Sequence, residues 1–261
     1  MQVRTAPAEA AAPLAPAPPK IALRGVTKRY DAGTGGAPVL NGIDLAVAEN
    51  EFVTLVGRSG CGKTTLLNIV AGLVEASAGE VLVDGAPVTG PGRGKGVVFQ
   101  GQALFPWLTA IRNIEFGARS RGLDADACRR EAAELLALVG LAGYGDRYPA
   151  QLSGGMQQRV AIARALAQDP QILLMDEPFG ALDEITRIEM QDELLRVWSS
   201  RRKTVLFVTH SITEALMLSD RVVVMGRGGI VAEYPLAAPR PCSRADAKLA
   251  ALHERIWEHL R

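Results

Sequence analysis

The chain has 261 residues, of which 48% are hydrophobic, and a formal net charge of +1 at pH 7. This length and composition can support one large domain, or one domain with an inserted lobe. The nearly neutral charge argues against a nucleic-acid partner, because proteins that read nucleic acids usually carry a basic face.

The three cysteines, Cys61, Cys128 and Cys242, are widely spaced and form no CxxC pair, so they predict neither a disulfide framework nor a zinc site. No apolar run approaches the about 18 residues that would predict a membrane span.

Residues 1–20 form an Ala/Pro-rich stretch, "MQVRTAPAEAAAPLAPAPPK". Prolines interrupt it, so it lacks the continuous apolar segment of a signal peptide. Its composition is typical of a disordered tail. We therefore expect the folded domain to occupy residues 21–238.

Four short apolar runs each end at a polar residue or a glycine. They are EFVTLVG, ending at Gly57; KGVVFQ, ending at Gln100; QILLMDEP, with Asp176 and Glu177; and KTVLFVTH, ending at His210. Short runs rich in Val, Leu, Ile and Phe predict buried strands of a parallel sheet. Ligands of open α/β sheets bind beyond the carboxyl ends of the strands, so the four runs predict one site at that edge.

Amphipathic segments alternate with these runs and predict helices. They are GKTTLLNIVAGL, residues 126–141, MQQRVAIARALAQ and EITRIEMQDELLRVW. In the last segment we expect Ile185, Ile188, Leu195 and Trp198 to share one face. Because the pattern is mainly helical from about 101 to 168, it predicts a helical lobe inserted into the α/β core.

The stretch "GRSGCGKT" (57–64) fits the phosphate-binding pattern G-x-x-x-x-G-K-[ST]. Its glycines let backbone N–H groups converge on phosphate oxygens. Lys63 supplies charge to the β- and γ-phosphates, and Thr64 offers a hydroxyl to Mg²⁺. The loop follows a predicted strand and precedes a predicted helix, which supports the match. The residues predicted to contact nucleotide here are Gly57, Arg58, Ser59, Gly60, Cys61, Gly62, Lys63, Thr64 and Thr65.

The acidic end of "ILLMDEP" is the natural companion of this loop. Asp176 can hold the hydration shell of Mg²⁺, and Glu177 can act as a general base toward an attacking water. An isolated acidic pair is more often a helix cap or a turn. Beside a phosphate loop we favour the catalytic interpretation, with Lys63 and Glu177 as catalytic residues.

In "LSGGMQQR" (152–159), Ser153, Gly154 and Gly155 precede an Ala-rich helix. They predict a second group of N–H donors at the positive end of a helix. A plain N-cap followed by a hinge is the alternative. Since the first loop already holds a triphosphate, the second anion site would best serve a nucleotide bound by another copy of the chain, which predicts a catalytic dimer.

Together these motifs resemble the ATP-binding cassette ATPases, the nucleotide-hydrolysing subunits of ABC transporters. With "GALD" (180–183), they occur in the family order between about residues 21 and 235. The resemblance implies an α/β P-loop NTPase with a RecA-like core, an antiparallel β subdomain and the helical lobe. It also implies ATP and Mg²⁺ as cofactors.

The resemblance implies roles for four further residues. His210 stands where the family has its catalytic switch histidine. Gln100 stands where the family has the glutamine that senses Mg²⁺ and the transporter. Tyr30 matches the aromatic residue that stacks on adenine, although a lone tyrosine is more often a packing residue. Asp183 would cross the dimer interface, and the ATP would lie between one subunit's Lys63 and the other's signature.

Residues 90–100, 103–117 and 244–260 resemble the ATPases of nitrate, sulfonate and taurine importers. This resemblance implies a homodimer on permease subunits at the cytoplasmic face of the inner membrane, served indirectly by a periplasmic substrate-binding protein. Taurine or an alkanesulfonate is the expected substrate, and nitrate is the alternative. An exporter ATPase is a less favoured alternative, as is a soluble ABC ATPase. Soluble relatives usually carry a long coiled-coil insertion or a second cassette, and this chain has neither.

Two apolar stretches remain. "ALFPWL" could be core, or a groove that receives a cytoplasmic helix of the permease, and the family resemblance favours the groove. Residues 239–261 predict a C-terminal helix packed on the ATPase core, with Ser243 and Asp246 as a capping box. Its apolar stripe consists of Leu249, Leu252, Ile256 and Leu260.

Overall fold

The structure is a computed structural model that describes residues 18–30, 37–92, 94–101, 103–200, 202–236 and 247–261. The predicted tail lies outside the described residues except for its last three positions, and the predicted capping box of Ser243 and Asp246 lies outside them as well. Within the described ranges, no helix combines the length and apolar character needed to cross a membrane.

A six-stranded sheet with the order β10-β9-β3-β8-β7-β6 forms the centre of the fold. Its strands are β3 (Phe52–Gly57), β6 (Lys95–Val98), β7 (Ile172–Asp176), β8 (Thr204–Thr209), β9 (Arg221–Gly226) and β10 (Gly229–Pro235). All neighbouring pairs are parallel except β9 and β10. The four predicted strands are β3, β6, β7 and β8; β3, β7 and β8 are buried along their whole length.

A second, antiparallel sheet has the order β2-β1-β4-β5. Its strands are β1 (Ile21–Lys28), β2 (Leu40–Val47), β4 (Ala78–Val83) and β5 (Ala86–Pro87). In β2 every second residue from Ile43 to Val47 is buried, as expected of a sheet with one solvated face. This sheet shares a hydrophobic cluster with β3 and the helix that follows it, so it covers one side of the phosphate loop.

The helices are α1 (Lys63–Ala71), α2 (Ala110–Arg119), α3 (Ala125–Leu138), α4 (Gly154–Ala167), α5 (Glu184–Ser200), α6 (Ile212–Leu218) and α7 (Ala247–Leu260). Helices α2, α3 and α4 lie between β6 and β7 in the sequence and pack on one another. Their shared cluster includes Ile114, Leu136 and Val160. The P-loop NTPase architecture with an antiparallel sheet and a helical insertion is therefore present.

The predicted apolar face of α5 is wrong at one position. Leu195 and Trp198 are buried and Ile188 is half-buried, but the Ile185 side chain is 72% exposed. Ile185 and Trp198 are separated by about 3.6 helical turns, so they project from different sides of the helix. The buried face continues instead through Met190.

Helix α7 packs against α6 and the end of the central sheet. Leu249 and Ile256 are buried there, and Leu252 and Leu260 pack against the same cluster. The His259 Nε2 and the Tyr234 hydroxyl lie 2.9 Å apart and join α7 to β10.

Helices α2 and α4 lie close together at Gly117, where an added Cβ would lie 2.3 Å from the carbonyl oxygen of Arg164. We expect Gly117→Ala to lower the free energy of unfolding by about 1–3 kcal/mol, because α2 must move away from the α4 backbone. Gly143→Ala is the matched control, since no heavy atom lies within 4 Å of its added Cβ. Urea unfolding followed by circular dichroism measures both variants, and equal stabilities would contradict the close approach.

Candidate nucleotide-binding site

The phosphate loop connects β3 to α1, and its glycines adopt conformations that other residues rarely reach. Gly60 has φ +81° and Gly62, the N-cap of α1, has φ +104°. A Cβ on Gly62 would also lie 2.7 Å from Leu40 Cδ2. The Lys63 ammonium is folded into the loop and donates to the carbonyl oxygen of Gly57 at 2.8 Å. The backbone thus surrounds the cation at the start of a helix, which is the arrangement that binds phosphate.

Two oxygen ligands face each other beside this loop. Thr64 Oγ1, in the first turn of α1, donates to Asp176 Oδ1 at 3.1 Å. Asp176 ends β7 and is only 4% exposed. Burial raises the pKa of its carboxyl, and the neighbouring Glu177 raises it further, while Thr64 and Lys63 act in the opposite direction. Burial is thus the main cause of the raised pKa.

This pair fits a hard divalent cation such as Mg²⁺. Mg²⁺ prefers oxygen ligands and keeps several waters, so one carboxylate and one hydroxyl beside bound phosphates are a sufficient protein contribution. No cluster of three or more His, Cys, Asp or Glu residues suited to a metal occurs in the described part of the chain. A cation here would accordingly depend on the nucleotide for its remaining ligands.

Glu177 follows Asp176 directly and is the centre of a second set of contacts. Its Oε2 lies 3.1 Å from His210 Nδ1 and accepts a hydrogen bond from Gln100 Nε2 at 3.4 Å. Its backbone has φ +45°, in the left-handed region that non-glycine residues seldom occupy. The backbone N–H of Glu177 donates to the carbonyl oxygen of Val208, which fixes this turn against β8. The carboxylate is thus held between the ends of three parallel strands.

Glu214 supports the His210 turn, and it is not among the residues predicted for the site. Thr209 Oγ1 donates to Glu214 Oε2 at 2.5 Å and accepts from the backbone N–H of Ser211 at 3.0 Å. Burial raises the pKa of the Glu214 carboxyl, and the hydrogen bond from Thr209 partly offsets this. The pattern S-x-x-E at 211–214 was the available signal, because it marks a helix start directly after the histidine.

Tyr30 lies at the edge of the loop. Its ring is 60% exposed, and its hydroxyl is 3.4 Å from Thr65 Oγ1. The Lys28 ammonium is 5.1 Å from the ring centroid. The tyrosine is therefore a surface residue beside the first turn of α1, not a core residue, and a base could stack on it.

The signature residues form a separate surface at the start of α4. Ser153 Oγ caps the helix by accepting from the Met156 N–H at 3.3 Å, and Ser153 and Gly154 are exposed. A Cβ on Gly155 would lie 3.0 Å from a methyl group of Leu182, so the signature lies next to the loop before α5. Among the described residues, no hydrogen bond or ion pair joins this surface to the phosphate loop.

Asp183 lies in that neighbouring loop and is exposed. Its Oδ1 accepts from the Thr186 N–H at 3.0 Å, which caps α5 and lowers the pKa of the Asp183 carboxyl. The residue thus has a local structural role, in addition to the expected role at a dimer interface.

Ala103 and Phe105 of the "ALFPWL" segment line a groove of about 330 Å³ between α1, β6 and the helical lobe. Trp107 is 70% exposed, which excludes a core position for its ring. Phe105 packs on Phe116, and the Arg164 guanidinium lies 5.3 Å from the Phe105 ring centroid. Burial lowers the pKa of Arg164. The groove is therefore aromatic with a partly buried cation at its side.

A second cavity, of about 470 Å³, lies between α3 and α5 and is lined by Leu135, Leu173 and Trp198 among others. It contains none of the predicted site residues. The candidate site is instead the edge where the carboxyl ends of β3, β7 and β8 meet.

Comparison with known proteins agrees with this geometry. The sequence pattern of the ABC transporter family matches residues 40–180. A taurine import ATP-binding protein from Mesorhizobium japonicum is 50% identical over 92% of this chain and 96% of its own length. A bicarbonate transport ATP-binding protein from Synechocystis sp. is 46% identical over 86% of this chain and 82% of its own length.

Among solved structures, a dimeric ATP-binding cassette in a post-hydrolysis state with ADP and phosphate bound superposes with a TM-score of 0.78. It is 35% identical to this chain and covers 84% of it and 100% of its own length. A phosphate loop, an acidic strand end, a histidine-bearing strand end and a glycine signature thus occur in one chain with this fold and these relatives. The chain belongs to the ABC transporter family and is an ATP-hydrolysing subunit of that family.

Proposed function

We propose that this chain drives import of a small oxyanion by binding ATP at the edge of β3, β7 and β8 and hydrolysing it there. The observation that carries the proposal is the pair of contacts on Glu177, from Gln100 and His210, beside the Thr64–Asp176 pair. These contacts support Glu177 as the carboxylate for proton transfer and Asp176 as the carboxylate for a cation. The two roles need different environments, and the contacts of the two adjacent residues differ accordingly.

In this proposal Glu177 is the general base. It accepts the proton of the water that attacks the γ-phosphate, and His210 holds the carboxylate in place and adds a donor near the developing charge. Lys63 leaves the carbonyl oxygen of Gly57 to contact the β- and γ-phosphates. The backbone N–H groups of the loop and Tyr30 hold the remainder of the nucleotide.

Thr64, Asp176 and Gln100 would hold Mg²⁺. The ion would neutralise charge on the β- and γ-phosphates. The contact between Thr64 Oγ1 and Asp176 Oδ1 supports this assignment, because it puts a hydroxyl oxygen and a carboxylate oxygen side by side next to the phosphate loop.

The proposal also requires a dimer. Ser153 and Gly154 are exposed and Gly155 is half-buried at the start of α4, and no described hydrogen bond joins them to their own phosphate loop. We propose that they bind the γ-phosphate of ATP held by a second copy, with Asp183 near the same interface. Two solved structures of one related cassette, both dimeric, support this arrangement.

The aromatic groove at Phe105 and Phe116, with the exposed Trp107 ring beside Phe105, is the proposed docking site for the permease. Exposed aromatic rings around a cleft are typical of a surface that receives a partner. The groove adjoins Gln100 in the sequence, so docking can affect the contact between Gln100 and Glu177. Such an assembly places the chain peripherally at the cytoplasmic face of the inner membrane, with a periplasmic binding protein as an indirect partner.

Taurine or an alkanesulfonate is the proposed substrate. The taurine import relatives support it, at 50% and 43% identity. The bicarbonate transport relative, together with the nitrate alternative, leaves a planar oxyanion as the second candidate. A sulfonate carries one charge and three acceptor oxygens, and the residues that select it lie in the permease and the binding protein.

We expect Glu177→Gln to lower the rate of ATP hydrolysis by about 10²- to 10⁴-fold, because the amide keeps the shape of the side chain but cannot accept the proton. ATP binding should remain, so the variant should accumulate as an ATP-bound dimer. Size-exclusion chromatography with and without MgATP measures the fraction of the variant that is dimeric. A Glu177→Gln protein that stays monomeric with saturating ATP would contradict the dimer.

Ser153→Arg should abolish hydrolysis while leaving the nucleotide affinity of the monomer unchanged, because the signature would act on the other subunit's ATP. Ala133→Arg, at an exposed position of α3, is the matched control and should keep wild-type activity. Titration with a fluorescent ATP analogue at low protein concentration measures the affinity. A large loss of monomer affinity would place Ser153 in its own subunit's pocket.

A deletion strain tests the substrate. We expect it to lose growth on taurine or an alkanesulfonate as sole sulfur source and to grow normally on sulfate. The intact gene should restore growth, and the Glu177→Gln gene should not. Loss of growth on nitrate as sole nitrogen source, with normal growth on sulfonates, would transfer the assignment to nitrate. Normal growth on all of these sources, in a strain without a redundant transporter, would refute the substrate class.

A further inference from the structure

The second half of "LSGGMQQR" has no role in the function proposed above. Two of its polar side chains stay within the helical lobe. Gln157 Nε2 donates to the carbonyl oxygens of Pro149 and Leu152 at 3.0 and 3.1 Å, and Arg159 Nη1 donates to that of Val139 at 3.1 Å. These bonds tie α4 to its own surroundings.

Gln158 points the other way, toward the central sheet. It is 1% exposed, and its Nε2 donates to the carbonyl oxygen of Phe99 at 3.4 Å. Phe99 follows β6 and directly precedes Gln100. The side chain therefore links the helix that begins at the signature to the segment that carries one of the Glu177 contacts.

Only the nitrogen of the Gln158 amide has a hydrogen-bond partner among the described residues. Its Oε1 is buried and has no hydrogen-bond partner among the described residues. An unsatisfied buried amide oxygen is costly, and an apolar side chain of similar shape would avoid that cost. A second position of α4, in which a donor reaches the Gln158 Oε1, would explain why this residue is an amide.

We infer that Gln158 is a positioning residue that makes the place of Gln100 depend on the place of α4. Ser153 and Gln158 lie on one rigid helix, about 7.5 Å apart along its axis. A contact made at Ser153 by the second subunit's nucleotide moves α4, and Gln158 carries that movement to Phe99. Gln100 and its contact with Glu177 move with it. The inference rests on the proposed roles of Gln100 and Ser153.

This chain of contacts explains how ATP binding at one surface can set the geometry at another. Each step is a bond or a rigid element: the N-cap of α4, the helix itself, the bond to Phe99, the peptide to Gln100 and the bond to Glu177. Contiguous networks of this kind carry coupling between sites.

The test is a double-mutant cycle on the full chain. Gln158→Met keeps the length of the side chain but removes the donor, and we expect the kcat of ATP hydrolysis to fall about 2- to 30-fold while the KM for ATP is unchanged. In the Gln100→Ala background the same change should lower kcat no further. Gln157→Met is the matched control: it removes two bonds within the lobe, so it should lower the melting temperature but leave kcat near that of its parent protein, whether wild type or Gln100→Ala.

Gln158→Asn is a second variant that cannot overpack the site, because its side chain is one methylene shorter and no longer reaches Phe99. It should reproduce the effect of Gln158→Met. A fall in kcat by the same factor in both backgrounds would show a general structural role and overturn the inference, as would an unchanged kcat in the wild-type background. If Gln100→Ala itself leaves kcat unchanged, the proposed role of Gln100 fails and the inference fails with it, a result distinct from the other two.

Discussion

The register of three parallel strands is the constraint on which the site depends. Strand β8 lies between β3 and β7, and its pairing places Val56 opposite Thr209 and Asp176 opposite Val208. The phosphate loop, the acidic pair and the histidine turn therefore all start at the same level of the sheet. A shift of one residue in either pair would turn a catalytic side chain to the other face of the sheet. The continuous burial of these strands stabilises that register.

Negative charge is concentrated at this edge of the sheet. Asp176 and Glu177 are adjacent carboxylates, and the nearby Lys63 ammonium is bonded to carbonyl oxygens of its own loop. The buried Asp176 carboxyl and the strained Glu177 backbone both raise the free energy of the site as it stands. In the proposed function, Mg²⁺ beside Asp176 would supply the positive charge that this edge lacks, and the phosphates would be held by the loop and Lys63.

The helical lobe carries the signature surface, which is the proposed second anion site. No described bond joins this surface to its own phosphate loop. The lobe's close contact between α2 and α4 makes it a compact unit, and Gln158 gives it a polar connection to the core. The aromatic groove lies at the same junction between lobe and core. Nucleotide, second subunit and permease would therefore all act on one boundary within the chain, which is a physical basis for coupling ATP hydrolysis to transport.

The sequence by itself determined the elements whose function is local. The phosphate loop, the signature and the acidic strand end are short contiguous motifs, so their backbone chemistry can be read without knowing the fold. Short buried runs likewise predicted the four strands. Tertiary structure alone decided which side chains meet. How the helices lie against the sheet decided three features. They are the exposure of Ile185 and Trp107, the hydrogen bond between Thr209 and Glu214, and the contact of Gln158 with Phe99. Periodicity gives the relative direction of side chains on one element but not the neighbour they face, because that neighbour comes from a distant part of the chain.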